Sequence, residues 1–181
     1  MTTKNILIGI TGGIAAYKTL DLIHQLHKVG HTVKVILTPN ASRFVTELSV
    51  RTLSGFPAYT DNAEIIGDPT AHIELALWAD VFLIAPITAN TLAKLALGLA
   101  DNLLTTSVLA LPSTIPLLLA PAMNTRMWTN PLVIGHINTL TTSFPNISII
   151  PPRESVLACG ETGMGAMATI DTLMNTVESI T

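Results

Sequence analysis

The sequence predicts an α/β fold, a Rossmann-like or flavodoxin-like three-layer sandwich with a mostly parallel sheet. Short apolar runs recur along the 181 residues and alternate with stretches of helical apolar spacing. Several of these runs end in turns of glycine or small polar residues. Continuous apolar runs are typical of strands buried in a parallel sheet, and their alternation with helices indicates βαβ units. We therefore predict one domain over residues 1–181.

The elements follow in order from these patterns. The predicted strands are residues 5–10, 32–37, 81–85, 117–120 and 146–150. The predicted helices are residues 14–29, 39–48, 72–80, 92–99, 101–111, 132–144 and 171–180. We expect Asp101 to cap the fifth helix. Residues 49–71 show little periodicity and predict a long connection.

Charged side chains are scarce, at 12% of residues against 49% hydrophobic, with a net charge of -3. So few charges leave much of a monomer's surface apolar, and we expect a homo-oligomer. The absence of a basic run argues against nucleic-acid binding. A single cysteine excludes an intrachain disulfide framework and a Cys-rich metal site. With no spanning apolar run and no leader pattern, we expect a cytoplasmic protein.

The first predicted strand runs into Thr11, Gly12 and Gly13, and a helix follows. Such a turn directs backbone N–H groups and a helix amino terminus at a ligand, which favours phosphate. Its spacing is neither GxGxxG nor a P-loop. The second strand ends at Thr38, where a dinucleotide site usually carries an acid, so FMN is favoured over NAD. Glycines required only by a tight turn are the alternative.

Two later strand ends carry polar side chains. Thr88, Asn90 and Thr91 follow the third strand and exceed what a helix cap needs. Asn124 and Arg126 follow the fourth strand. The guanidinium of Arg126 suits a carboxylate, a phosphate or an acid on a neighbouring subunit.

His72 and Cys159 are candidate reactive residues. His72 begins a predicted helix, whose dipole favours a neutral imidazole that can act as a base, although a lone histidine is more often structural. Cys159 is followed by three glycines within six positions. Because glycine disfavours helix and strand interiors, we predict a mobile loop over residues 157–168 at the ligand edge of the sheet. A buried structural cysteine is the alternative.

Separated stretches of the chain resemble the flavin-dependent cysteine decarboxylases. They are Gly-Ile-Thr-Gly-Gly-Ile-Ala-Ala-Tyr-Lys at residues 9–18, residues 72–80, residues 85–106, and Pro-Ala-Met-Asn-Thr-Arg-Met-Trp from residue 121 together with residues 158–168. The resemblance covers residues 4–170, and the last two blocks are the specific ones.

The resemblance implies FMN as the cofactor and a homotrimer with the flavin at subunit interfaces, which can assemble into a dodecamer. The implied FMN-binding residues are Gly12, Gly13, Ile14, Thr38, Thr88, Ala89, Asn90, Thr91 and Ala122. The implied substrate-binding residues are Asn124, Met127 and Ala158. No metal is implied.

The implied reaction is decarboxylation of 4′-phosphopantothenoylcysteine to 4′-phosphopantetheine in coenzyme A biosynthesis. Transient oxidation to a thioaldehyde provides an electron sink for loss of CO₂, and the ene-thiolate is then reduced again. By resemblance, His72 is the base of the oxidation and Asn124 holds the substrate carboxylate. Cys159 is the implied proton donor for the final reduction.

Two alternatives stay open, a peptidyl-cysteine decarboxylase that stops at the ene-thiol and a non-catalytic flavin-binding regulatory subunit. Cys159 favours full turnover, because the ene-thiol-forming relatives lack that cysteine. Ala166 stands where the family usually has arginine, which predicts weaker substrate binding. We expect the phosphopantothenoylcysteine synthetase of the pathway to be a separate chain.

Overall fold

The computed structural model describes residues 3–62, 68–158 and 160–180. The strands of its central sheet are β1 (Asn5–Ile10), β2 (Thr32–Leu37), β3 (Ala58–Tyr59), β4 (Val81–Ile87), β5 (Leu117–Pro121) and β6 (Ile147–Ile149). Their order is β3-β2-β1-β4-β5-β6, and each neighbouring pair is parallel. The predicted α/β fold is confirmed.

Helices cover both faces of the sheet. They are α1 (Ala16–Lys28), α2 (Glu47–Ser54), α3 (Ala71–Trp78), α4 (Ala89–Ala96), α5 (Leu103–Leu109), α6 (Thr125–Trp128), α7 (Pro131–Ser143) and α8 (Ile170–Glu178). Because side chains alternate along a strand, Ile6 and Ile8 of β1 pack with α1, α2 and α8, whereas Leu7 packs with α3, α4, α5 and α7. The two resulting cores make the three layers of the sandwich.

Between β2 and β3 the prediction was wrong. In place of a helix over residues 39–48, a short 3₁₀ turn (Ala41–Arg43) is followed by α2. The side chain of Thr46 accepts a hydrogen bond from the backbone N–H of Ser49, which starts α2, and Gly55 ends it with φ of 78°. Residues 49–54 and 58–59 are therefore regular structure and not part of a long irregular connection. The start signal at Thr46 lay inside the predicted helix and was missed.

Two helix starts also differ from the prediction. The Thr88 side chain caps α4 by accepting from the N–H of Thr91, so α4 begins at Ala89 and not at residue 92. Asn102, not Asp101, caps α5 by accepting from the N–H of Thr105. Asp101 instead pairs with Lys94. In both cases the helix begins after the residue whose side chain accepts a hydrogen bond from the backbone N–H three positions later.

Residues 157–168 are not an irregular loop throughout. Strand β7 (Arg153–Val156) pairs antiparallel with β8 (Thr162–Ala166) to form the β7–β8 hairpin. This hairpin follows β6 and stands apart from the main sheet. The mobile-loop prediction is wrong for residues 162–166, because these residues form β8 and their glycines allow close packing.

A hydrogen-bonded cluster joins both ends of the described chain at the amino edge of the sheet. The Lys4 ammonium donates to the carbonyl oxygen of Val177 at 2.9 Å. His31 accepts from the backbone N–H of Lys4 through Nδ1, so its Nε2 carries the proton that is donated to Glu178 at 2.7 Å. The cluster holds the end of α8 against the starts of β1 and β2. No helix in the described ranges is long and apolar enough to cross a membrane.

Candidate functional site

A cavity of about 580 Å³ lies at the carboxyl edge of the sheet, over the ends of β1, β4 and β5. This is the edge at which open parallel sheets bind ligands, and the volume is within the range of small-molecule sites. Four walls enclose it: the turn after β1 with the start of α1, the β4–α4 turn, the β5–α6 turn and the β7–β8 hairpin. Each of these walls contains part of a sequence block that carries the resemblance.

The first wall is the turn of Gly12, Gly13 and Ile14. A Cβ on Gly12 would lie 2.4 Å from Cβ of Asn40 and 2.9 Å from its carbonyl carbon, so packing alone requires glycine there. A Cβ on Gly13 would meet only Cγ2 of Thr88, at an ordinary 3.6 Å. Packing of the chain on itself therefore explains Gly12 but not Gly13, whose small size leaves its backbone open to the cavity.

The second wall is Thr88 and Ala89, at the amino terminus of α4. It is joined to the first through Thr11, whose hydroxyl donates to the carbonyl oxygen of Pro86 at 2.8 Å and accepts from the N–H of Thr88 at 3.0 Å. These bonds fix the two turns relative to each other. They set the spacing of backbone N–H groups along one side of the cavity.

Three residues that the resemblance implies for FMN binding do not line the cavity as the described residues form it: Thr38, Asn90 and Thr91. Thr38 is 8% exposed, and its hydroxyl donates to the carbonyl oxygen of Ile10 at 3.3 Å. The Thr91 side chain packs beneath the cap of α4. Gly12, Gly13, Ile14, Thr88, Ala89 and Ala122, by contrast, are together in the cavity wall.

The third wall contains Ala122, Met123, Asn124 and Met127. Asn124 caps α6, because its Oδ1 accepts from the backbone N–H of Arg126 at 2.8 Å. This bond assigns the amide orientation: the oxygen is on the helix side, and Nδ2 is on the other side of the group. The wall is otherwise apolar, so Asn124 supplies its polar specificity.

The fourth wall is the β7–β8 hairpin, with Ser155, Ala158, Gly165 and Ala166 among its cavity-lining residues. Ala166 pairs in register with Arg153 on the neighbouring strand. At the tip, the N–H of Leu157 donates to the carbonyl oxygen of Glu161 at 2.9 Å. Cys159 lies outside the described residues, directly after Ala158 in the sequence.

Glycines dock the hairpin against the third wall. The N–H of Met123 donates to the carbonyl oxygen of Gly165 at 2.9 Å, and a Cβ on Gly165 would lie 2.1 Å from the carbonyl oxygen of Met123. A Cβ on Gly163 would lie 2.5 Å from Oγ1 of Thr125. Both glycines serve close backbone approach within a strand, which the loop prediction did not consider.

His72 is the second residue of α3 and half-buried. The start of α3 is organised by Asp68, which accepts from the N–H and hydroxyl of Thr70 at 2.8 and 2.7 Å. These hydrogen bonds from Thr70, with a smaller contribution from Glu74, hold the pKa of Asp68 below its ordinary value. Among the described residues of one chain, the cavity wall includes Asn124 but not His72. A single chain thus does not bring these two predicted site residues into one wall.

Sequence reasoning missed Tyr17 and Lys18, which also line the cavity. Among the described residues of the cavity wall, Lys18 is the one with a charged side chain. Tyr17 is 55% exposed. Both lie on the first turn of α1, directly beyond the glycine turn. Placing that first turn over the end of β1 would have found them, because a helix that starts at a ligand edge presents its first turn to the ligand.

A parallel sheet with a cavity over a glycine turn defines an α/β protein of the nucleotide-binding class. The model of the Flavoprotein family matches residues 1–181, and the chain belongs to this family. It is 46% identical to a probable phosphopantothenoylcysteine decarboxylase of Streptococcus mutans, over 97% of this chain and 98% of the relative. It is 43% identical to a coenzyme A biosynthesis bifunctional protein of Haemophilus influenzae, over 91% of this chain but only 40% of that relative.

Solved structures show the same similarity. A phosphopantothenoylcysteine decarboxylase with a cysteine-to-serine substitution, complexed with pantothenoylaminoethenethiol, has a TM-score of 0.89 at 41% identity over 98% of this chain and 97% of that one. An FMN-binding protein has a TM-score of 0.86 at 41% identity over 98% and 96%. A peptidyl-cysteine decarboxylase has a TM-score of 0.82 at 26% identity over 98% and 100%.

Proposed function

We propose that this chain catalyses the FMN-dependent decarboxylation of 4′-phosphopantothenoylcysteine to 4′-phosphopantetheine in coenzyme A biosynthesis. The observation that carries the proposal is the cavity itself, which unites the Gly12–Gly13 turn, Asn124 and the residue before Cys159. The chain that forms this cavity matches a probable phosphopantothenoylcysteine decarboxylase at 46% identity over almost the full length of both proteins.

The cavity fits FMN in volume and in chemistry. Gly13 is not required by packing and exposes backbone to the cavity, and two strand-to-helix turns are fixed side by side there. Such turns bind phosphate through backbone N–H groups. The residues that would hold FMN are Gly12, Gly13, Ile14, Thr88, Ala89 and Ala122. When bound, FMN supplies a reversible two-electron acceptor, so that the substrate can be oxidised and reduced within one turnover.

Asn124 binds the substrate carboxylate in this proposal. Its oxygen is engaged by Arg126, so the Nδ2 donors are the part of the amide with the right chemistry for an anion. Met123 and Met127 make the surroundings apolar. An apolar wall solvates a carboxylate poorly, which favours the loss of its charge as neutral CO₂.

His72 and Cys159 provide the proton transfers. His72 acts as the base that accepts a proton during oxidation of the cysteine moiety. Cys159 donates a proton to the ene-thiolate carbon when the product is reduced to the saturated thiol. Cys159 follows Ala158, a residue of the cavity wall, which supports its role. His72 is not among the described residues that line the cavity of its own chain, so the proposal assigns it to the cavity of a neighbouring copy.

The proposed assembly is a homotrimer in which adjacent copies complete each cavity, with further association into a dodecamer. Around the cavity, Ile14, Tyr17 and Val156 are 58%, 55% and 69% exposed. On α3, beside His72, Ile73 and Leu77 are 43% and 66% exposed. These apolar patches belong to different parts of the chain, and contact between unlike patches generates a closed ring when the rotation between copies closes. Light scattering on the purified protein measures the assembly directly.

The pathway setting is also part of the proposal. A phosphopantothenoylcysteine synthetase activity supplies the substrate in the cytoplasm. The similarity to coenzyme A biosynthesis bifunctional proteins, of which this chain spans only a part, supports a working relationship with a second activity. Fractionation and co-purification of the two chains from cells would test both points.

The central test is a turnover assay with the purified, flavin-loaded protein. We expect catalytic release of CO₂ and formation of 4′-phosphopantetheine, with the flavin spectrum unchanged at the end. Accumulation of an ene-thiol with stoichiometric flavin reduction, above all with a cysteine-terminated peptide, would favour a peptidyl-cysteine decarboxylase instead. Flavin binding without CO₂ release from either substrate would favour the non-catalytic regulatory subunit.

A further inference from the structure

The ion pair between Arg126 and Glu161 spans two walls of the cavity. Nη2 of Arg126, on α6, lies 3.6 Å from Oε1 of Glu161, the residue before β8 at the tip of the β7–β8 hairpin. We propose that Arg126 is a positioning residue that holds the hairpin tip over the cavity through Glu161. The relevance to catalysis rests on the proposed function; the positioning itself does not.

Both partners are attached to fixed backbone. The N–H of Arg126 donates to Oδ1 of Asn124, so the arginine starts from the residue assigned to the substrate carboxylate. The carbonyl oxygen of Glu161 accepts from the N–H of Leu157 across the tip, and the N–H of Gly160 donates to the carbonyl of Leu157. The ion pair therefore adds a link between the Asn124 cap and the tip segment.

Other contacts hold the hairpin along β8, outside the turn that carries Glu161. They are the hydrogen bond from Met123 to Gly165 and the packing of Gly163 on Thr125. The Thr125 hydroxyl is buried there without a hydrogen-bond partner among the described residues, so the contact with Gly163 is steric. In the described chain the tip reaches α6 through the charge pair.

The ion pair between Arg126 and Glu161 is weak enough to break and form again readily. The Arg126 side chain is 86% exposed and the Glu161 side chain 56% exposed. An exposed pair of this kind shifts an equilibrium by about twofold to fivefold and not more. Salt screens it, since the screening length falls from about 10 Å at 0.1 M to about 3 Å at 1 M. A substrate can therefore enter and leave without breaking a strong interaction.

Hydrogen exchange in the flavin-loaded protein tests the proposal, read by mass spectrometry on peptides covering residues 153–166. We expect Arg126→Gln and Glu161→Gln each to speed exchange at the tip by about twofold to fivefold at 0.1 M salt. The double variant should be no faster than either single one, and the exchanged pair Arg126→Glu with Glu161→Arg should regain protection. In 1 M NaCl the wild type should approach the single variants.

Glu154→Gln is the matched control, because Glu154 is an exposed acid on the same hairpin outside the pair. It should leave exchange and the melting temperature unchanged. Unchanged exchange in both single variants, or effects that add in the double variant, would overturn the proposal. A lower kcat/KM of Arg126→Gln for the phosphorylated substrate but not for unphosphorylated pantothenoylcysteine, with exchange unchanged, would make Arg126 a phosphate ligand instead. If the wild type released no CO₂, the proposed function would be wrong, but the hydrogen-exchange result would still test the positioning role of Arg126.

Discussion

The backbone N–H of Met123 and the carbonyl oxygen of Gly165 are 2.9 Å apart, and this hydrogen bond joins the turn that carries Asn124 to the β7–β8 hairpin. No side chain fits between the two segments at this point, since a Cβ on Gly165 would lie 2.1 Å from the Met123 oxygen. Two walls of the cavity are thus one packed unit.

Gly165→Ala should separate these walls. The new Cβ collides with backbone, and the φ of 153° is one that side-chain-bearing residues rarely adopt. We expect a loss of at least about 1–2 kcal/mol in unfolding free energy, with reduced kcat/KM. Gly135→Ala is the control: Gly135 is within α7 with open space around it, and alanine there should stabilise by up to about 1 kcal/mol. Thermal melts of both variants decide, and equal stability of the two would refute the collision.

Neighbouring glycines of the first turn should respond differently to alanine. Gly12→Ala should destabilise the protein, because its Cβ meets the backbone of Asn40 at 2.9 Å. Gly13→Ala should fold with near-normal stability, since its Cβ meets only Cγ2 of Thr88 at 3.6 Å, but it should bind FMN more weakly because Gly13 lines the cavity. Melting temperature and flavin content measure the two effects separately. Full flavin occupancy in Gly13→Ala would show that the cofactor does not approach this residue closely.

Mixed oligomers should reveal where His72 acts. His72→Asn and Asn124→Asp are each expected to be inactive, the first for lack of the base and the second because a carboxylate repels the substrate carboxylate. If His72 serves the cavity of the next copy, mixing and reassembling the two variants creates some cavities with both native residues. Regained activity on mixing, against none when either variant is reassembled alone, is the expected result. Failure of properly mixed oligomers to regain activity would contradict the shared cavity.

Cys159→Ser should still decarboxylate but stall before the final reduction. The hydroxyl of serine is a much weaker acid than a thiol, so protonation of the ene-thiolate slows while CO₂ loss does not. We expect one equivalent of CO₂, a bleached flavin and an ene-thiol product, detected by absorbance and mass spectrometry. Ser143→Ala, at the end of α7 and outside the cavity wall, serves as the control and should turn over. Normal phosphopantetheine yield from Cys159→Ser would remove the proton-donor role.

Acid should weaken the start of α3 through Asp68. Hydrogen bonds from Thr70 lower the pKa of Asp68 in the folded protein. A carboxylate whose folded pKa is depressed contributes stability above its unfolded pKa, near 3.8, and loses it as the pH falls through the folded pKa. Asp68→Ala should therefore melt lower than the wild type at pH 7 but not at the acid end of a titration. Asp68→Asn, which keeps an acceptor without the charge, should show a smaller difference at pH 7.

The sheet could be predicted because its strands are buried on both faces. Runs such as residues 81–85 contain little besides apolar residues, and β4 is buried along its whole length. The residues that follow β1 and β5 could be placed at one site because parallel strands bring their carboxyl ends to one edge of the sheet. Periodicity and topology are enough for this much.

The remaining features depend on contacts that are distant in the sequence. Gly163 and Gly165 signal a loop by propensity, yet the close approach of Thr125 and Met123 makes them strand residues. The hydrogen bond from the N–H of Ser49 to the Thr46 side chain starts a helix at Glu47, although the apolar pattern around Thr46 predicts a helix that ends at residue 48. The place of His72 outside its own cavity follows from packing of α3, which no local pattern encodes.

The cluster of Lys4, His31 and Glu178 has a practical consequence for engineering this chain. It fixes the end of α8 at the amino edge of the sheet, whereas the cavity opens at the carboxyl edge. A reporter or affinity domain fused after α8 would therefore emerge on the side of the sheet away from substrate entry. Such a fusion should leave the cavity accessible, whereas an insertion at the hairpin tip would obstruct it.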